Sequence, residues 1–343
     1  MIRLYARFFS AVALTALFIT VLQAVAQQHV PAAPDSGAQQ AAPALEAPAS
    51  QPSAPAPSVA PAFPKPDPAD FTAPSPTKEL VGEFLQANWG FDDNRIWQVQ
   101  AILKTQVEGI SKVRVLVADK GPNSRTMQMN FFVLPDGKHI ILGDQIISFG
   151  AHPFADIRQQ LQQRAEGPYR GSADKSLELV EFADFQCPHC KDAQANMDKL
   201  AEDFPKARIV FQNFPIADIH PESVVAAEYG LCVSKIGGSA AFFQFAATVF
   251  DGQDGLATPD GATLTLNSAV AKVGLDPAKV AACAATPEIK AAVDASVKLG
   301  TDVGIDRVPM LIINGYEVPA NQPYESLKKI IEFQATRDGI AFQ

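Results

Sequence analysis

Apolar and polar positions alternate with three different rhythms along this chain. Up to about residue 75 there is no period; from there to about 150 the period is mostly two; beyond that, helical spacing dominates around a few short apolar runs. Ser75-Pro76, a capping serine with proline at the first helical position, predicts a helix with Leu80, Val81, Phe84 and Leu85 on one face. Residues 97–101, 113–117 and 127–131 alternate as strands, with turn signals at Gly121-Pro122-Asn123 and Asp136-Gly137. Residues 132–134 and 139–142 flank the second turn as a hairpin, and a helix over 153–164 leads out. The elements describe a small α+β domain over 76–165, with no cluster of nucleophiles or ligands; His139 and His152 read as surface or hairpin residues.

A polar break at 167–174 follows, and then a second pattern. Residues 177–182 form an apolar strand, 191–204 carry Ala193, Met197, Leu200, Ala201 and Phe204 at helical spacing, and 208–214 form another strand. From 221 to about 300 the chain is helical and alanine-rich. A short strand opened by Pro309 ends at Asn314-Gly315, 315–318 is the last strand, and a helix over 324–335 closes the unit.

Composition adds the flanks. Arg3 and Arg7, an apolar run over 8–22 and Ala24-Val25-Ala26 read as an export signal, 1–26, with a small-x-small cleavage site. The alternative is an uncleaved anchor, although the run is shorter than the roughly 20 residues a spanning helix needs. Residues 27–75 hold close to half of the chain's 27 prolines and almost nothing to bury, which predicts an extended, disordered linker. Within the 343 residues, 47% are hydrophobic, enough for two ordinary cores, and the net charge of -9 with no basic stretch argues against a nucleic-acid partner.

The candidate chemistry is Cys187-Pro188-His189-Cys190, placed between the 177–182 strand and the following helix. The first turn of a helix presents unpaired N–H groups and the positive end of the dipole, which favour a thiolate at Cys187. Pro188 falls at the first helical position, where proline is tolerated. His189 supplies a positive charge when protonated and a donor otherwise, and Cys190, one turn on, is the resolving thiol.

The stretch "VEFADFQCPHC" resembles the thioredoxin-fold oxidoreductases of the DsbA type, and the likeness runs to the C-terminus, over about 172–340. It implies an α/β thioredoxin fold with a helical insertion at about 221–300, preceded by the small α+β domain. The Pro-His pair between the cysteines is typical of oxidising members. The resemblance makes Glu181 the buried acid that relays the proton of Cys190; the alternative is a solvent-facing strand residue, which the alternation of Val180, Glu181 and Phe182 also allows. Val308-Pro309 then becomes a cis-proline loop against the two cysteines, with the Val308 backbone free to pair with an extended substrate. With Cys187 and Cys190 cycling, Cys232 and Cys283 are left as a structural disulfide, two free thiols being the alternative. The hairpin "FVLPDGKHIILGDQI" resembles the N-terminal dimerisation domain of periplasmic isomerases of the DsbC and DsbG kind, implying a cystatin-like domain and a homodimer.

Other chemistries fit poorly. A structural zinc site wants a second pair of ligands, covalent haem wants histidine where Lys191 stands, and no glycine-rich phosphate loop follows a strand. No metal or cofactor is expected. The expected activity is disulfide formation in reduced or unfolded exported proteins, in the periplasm or another extracytoplasmic space, with reoxidation by a quinone-linked membrane partner. A disulfide isomerase or reductase is the first alternative, and a non-catalytic thioredoxin-fold binding module the second.

Overall fold

The computed structural model describes residues 63–121 and 124–342. The export signal at 1–26, most of the 27–75 linker and Pro122-Asn123 of the predicted turn lie outside the described residues.

Helix α1 (Lys78–Trp89) begins two residues beyond the Ser75-Pro76 signal, because Thr77 is the better cap: its hydroxyl accepts from the Leu80 N–H at 3.2 Å. Ser75 instead precedes a cis proline and gives its carbonyl to the Ser111 hydroxyl. The helix lays Val81, Phe84 and Leu85 on a five-stranded antiparallel meander, β1 (Arg95–Lys104), β2 (Ser111–Asp119), β3 (Met127–Val133), β4 (His139–Leu142) and β5 (Gln145–Ser148), in sequential order. Val99, Val113, Val115, Phe131 and Ile140 point to that helix, and a bulge between Val99 and Ala101 interrupts the alternation of β1. The last strand, β5, has too little alternation in four residues to be read beforehand.

Helix α2 (Ala155–Arg164) is predicted with the first unit but packs elsewhere. Its Leu161, and Ala165 just beyond it, join Val180, Phe182, Val210 and Leu299 in the core of the second sheet. That sheet runs β10-β9-β7-β8-β6. Its members are β6 (Tyr169–Gly171), β7 (Glu178–Ala183), β8 (Arg208–Asn213), β9 (Met310–Ile313) and β10 (Tyr316–Pro319). β7 and β8 are parallel and the remaining pairs antiparallel. Strand β6 sits inside the predicted polar break, as a three-residue edge on β8.

Helices α3 (Pro188–Asp203) and α8 (Tyr324–Arg337) cover one face of this sheet, and α2 with α7 (Pro287–Asp302) covers the other. Gly300 permits the close approach of α7, since a Cβ there would stand 2.5 Å from the Phe214 ring. Between β8 and β9 the chain inserts α4 (Ser223–Asp251), α5 (Pro259–Lys272), α6 (Pro277–Ala284) and α7. α4 bends at Gly238, whose φ of 82° suits glycine. Phe185, on the loop after β7, fills the centre of an aromatic cluster with Phe211, Phe242, Phe245 and Phe250, so the insertion is anchored on the loop that precedes Cys187. This is the α/β thioredoxin fold with a helical insertion, preceded by the small α+β meander.

Candidate active site

The parallel pair β7–β8 ends at Ala183 and Asn213, and the chain turns from β7 through Asp184 into α3. Cys187 is the N-cap of α3 and Pro188 its first residue. The Cys187 N–H donates to the Asp184 carbonyl at 3.1 Å, while the Cys187 carbonyl accepts from the Cys190 and Lys191 N–H groups. From the insertion, the Gln253 side-chain amide donates to the carbonyls of Phe185 and Cys187 at 2.7 and 3.0 Å, tying the turn to the helical layer.

Both thiols are free in this structure and both are buried, Cys190 completely and Cys187 with 6% of its surface exposed. Their acidities separate. The Cys187 thiol is lowered from 9.0 to about 6, first by a hydrogen bond from Cys190 and then by the N–H groups of Cys190 and His189; burial and the Asp184 charge oppose this. Burial pushes Cys190 strongly upward, and donating to the Cys187 sulfur adds to the shift. One sulfur is therefore held as the nucleophile and the other as the proton-bearing thiol.

The helix terminus acts on Cys187 as the sequence implies, but His189 does so through its main chain. Its ring is mostly exposed, with Nδ1 3.8 Å from Asp192. Glu181 lies inside, 3% exposed, because β7 is covered on both faces and alternation has no solvent side to report. Burial raises its carboxyl to about 7, and the Gln194 amide bonds both to Glu181 Oε1 at 2.9 Å and to the Cys190 carbonyl at 3.1 Å. The Glu181 carboxyl and the Cys190 main chain thus share one neighbour.

Opposite the cysteines, the peptide Val308-Pro309 is cis, and the Val308 carbonyl is 3.9 Å from the Cys187 sulfur. Cys232 of α4 and Cys283 of α6 are joined as a disulfide, with Cα atoms 5.9 Å apart. That bridge closes the insertion on itself and takes no part in the thiol site.

Two polar residues at the site carry no signal in the sequence. The Asp184 carboxylate is buried and accepts from the Gln186 and Ile216 N–H groups at 2.7 and 2.8 Å and from His220 Nδ1 at 2.9 Å. Its own N–H points to the Cys190 sulfur at 3.4 Å. Asp184 and His220 are 36 residues apart, and only the packing of the β8–α4 connection against the cysteine turn brings them together. Among the described residues, no group of three or more His, Cys, Asp or Glu side chains is arranged to hold a metal ion. No helix among them is long and apolar enough to cross a membrane.

Residues 163–333 match a family model described as thioredoxin. A thioredoxin-like oxidoreductase from Silicibacter pomeroyi is similar at 22% identity and a TM-score of 0.45, over 52% of this chain and 98% of that one. The thiol-disulfide exchange protein alpha-DsbA2 from Wolbachia pipientis gives 22% and 0.45, over 52% and 95%. Curated relatives match over less: the Na(+)/H(+) antiporter NhaA 1 of Salinispora arenicola is 35% identical over 75 residues, which are 22% of this chain and 11% of that protein. NhaA 3 of Salinispora tropica is 32% identical over 91 residues, 26% of this chain and 14% of that protein. The chain thus spans little more than a tenth of the curated relatives it matches.

Proposed function

Through residues 163–333, about half of its length, the chain belongs to the thioredoxin family, and from that premise we propose that it is an exported thiol:disulfide oxidoreductase that forms disulfides in secreted proteins. The observation that carries the reading is the split between the two sulfurs: Cys187 lowered to about 6 at a helix N-terminus, Cys190 raised in the core beneath it. A surface or metal-binding Cys-x-x-Cys has no need of that asymmetry.

In the forward direction a client thiolate attacks Cys187 Sγ, the Cys187–Cys190 bond breaks, and its electron pair leaves on Cys190. Cys190 takes up a proton there, and Glu181, poised near neutrality by burial and close enough for its charge to act on Cys190, is the group that supplies it. A second client thiolate then attacks the client sulfur of the mixed disulfide, and Cys187 departs as a thiolate. The client loses two electrons and the pair Cys187/Cys190 gains them; a quinone-linked membrane partner removes them again. The Val308 main chain, next to Cys187, holds the client segment in extended form.

A depressed thiol stabilises the reduced pair. By linkage that stabilisation is complete above the ordinary thiol value of 9.0 and is lost as pH falls through about 6, so the oxidising strength declines in acid. The basic and apolar start of the sequence and the Cys232–Cys283 bridge both suit an extracytoplasmic location. The N-terminal meander motivates the second reading, a disulfide isomerase or reductase, dimeric through that domain. Two refolding substrates separate them: a reduced protein whose native bridges are non-consecutive, and a scrambled one. Oxidation of the reduced protein by the purified mature chain is the expected result; rescue of the scrambled one alone overturns the oxidase reading. Loss of both activities in Cys187→Ala is also expected, and retained activity overturns the mechanism.

A further inference from the structure

Two open strand edges line one cleft. β5 is the outer strand of the first sheet and β10 the outer strand of the second, and both border a cavity of about 800 Å3 that neither active-site sulfur lines. β5 leaves β4 through the two-residue turn Gly143-Asp144, with Leu142 and Gln145 as the closing pair. β10 leaves β9 through Asn314-Gly315, with Ile313 and Tyr316 as the closing pair. In a two-residue hairpin the closing pair exchanges its main-chain hydrogen bonds and the next pair does not. The N–H and C=O groups of Ile146 and Ser148 on one side, and of Glu317 on the other, therefore leave the free edges. All three residues line the cavity.

The side chains around it are matched to the same guest. Phe84, Phe154, Ile157 and Tyr316 give the cleft an apolar floor, and Ile146 stands at its rim 66% exposed. No lysine or arginine lines the cavity, whereas Asp156, Asp302 and Glu317 do. Asp302 is already paired with Arg164 and Lys298, and burial holds the Glu317 carboxyl up while Arg307 acts on it by charge, which leaves Asp156 as the carboxylate that faces a guest and Glu317 as a further acceptor. We propose that the cleft between β5 and β10 binds an extended segment of a partner polypeptide, apolar and carrying lysine or arginine, by strand addition to these two edges.

Other occupants suit it less. The chain's own 27–62 stretch is rich in proline, which brings no N–H, and carries Asp35 and Glu46 with no lysine or arginine. The β5 edge of a second copy, Gln145–Ser148, brings no cation either.

The test uses the full mature chain and a fluorescent peptide of alternating valine and lysine, without cysteine or proline, read by anisotropy. Binding is expected, and it is expected unchanged in Cys187→Ser/Cys190→Ser, so its fate is separate from that of the thiol chemistry. The same peptide N-methylated at alternate residues should bind wild-type protein at least about tenfold more weakly, and so should the plain peptide to Ile146→Lys, which places a cation on the edge. Equal binding of the methylated peptide overturns strand addition, whatever the folding of the variant. Binding lost in the double cysteine variant moves the site to the thiols and overturns the proposal. A dimer that Ile146→Lys dissociates, with no peptide bound by wild type, assigns the edge to a second copy and overturns it too.

Discussion

The two five-stranded sheets of this chain differ in how many of their faces are covered. In the first, β2 alternates between buried and half-buried positions, and β3 shows its Gln128, Asn130 and Phe132 to solvent. In the second, every residue of β7 and β8 is buried, because helices lie on both sides. Ser111 is the one polar residue buried in the strands of the first sheet, whereas the second holds Glu178, Glu181, Arg208, Gln212 and Asn213. A polar side chain on a one-sided sheet can turn to water. Between two helical layers it must find a partner or change its protonation state. The thiol chemistry sits at the end of the sheet where that constraint holds.

The largest test of this contrast removes one central ring on each side, Phe131 from the core under the first sheet and Phe185 from the aromatic cluster at the end of the second. Phe131→Ala and Phe185→Ala each remove a fully buried ring and should each cost about 3–5 kcal/mol in denaturant unfolding. Only Phe185→Ala should also slow reaction of Cys187 with a disulfide probe, since Phe185 belongs to the turn that Gln253 ties to the Cys187 carbonyl. Equal slowing by Phe131→Ala would mean that the meander supports the site and would end the contrast.

Glu181 sharpens it. Its carboxyl is raised from 4.5 to about 7 by burial, so the folded protein holds a proton that the unfolded chain has lost. The associated stability is fully present below pH 4.5 and is lost as pH rises through about 7, amounting to roughly 3 kcal/mol above that. Glu181→Gln keeps an oxygen for Gln194 and should remove this dependence, leaving the variant more stable than wild type at pH 8 by up to about 3 kcal/mol and slower in thiol exchange. Parallel stability curves for the two proteins from pH 5 to pH 8 would refute the buried-acid assignment.

The same contrast explains what the sequence disclosed. Two-period runs reveal a one-sided sheet, and β1 to β4 were legible from them. The cysteine pair was legible because strand, proline and helical spacing are local. Glu181 was ambiguous because alternation reports burial only where one face is wet, and β7 has none. Asp184 and His220 gave no local signal at all, their meeting being made by tertiary packing across 36 residues. Which layer helix α2 joins was not legible for a related reason: its sequence shows which face is apolar but not which sheet receives it.

Asp184 offers a smaller effect with two separable readouts. Asp184→Asn keeps one acceptor oxygen and turns an amide N–H2 toward a main-chain donor, at a cost of about 1–3 kcal/mol. Removing the charge also relieves an influence that holds the Cys187 thiol up, so its titration, followed by ultraviolet thiolate absorbance, should move below about 6. A midpoint that rises instead would show that Asp184 matters only by shaping the turn.

The smallest effect belongs to the one-sided sheet and has the cleanest expectation. Thr77→Ala removes the hydroxyl that caps α1, leaving the Leu80 N–H to water, and should cost about 1 kcal/mol. Helix α1 hydrogen-bonds to the second unit through its last turn, where the Asn88 and Ala87 carbonyls accept from Tyr316 and Gln334, and Glu83 one turn earlier acts on Arg337 by charge. The cap lies at the opposite end of the helix, so the loss should appear in global unfolding while the titration of Cys187 stays in place. A shifted thiol titration in Thr77→Ala would mean that α1 transmits strain through Tyr316 and β10 to the Val308-Pro309 loop, and the two sheets would then have to be treated as one mechanical unit.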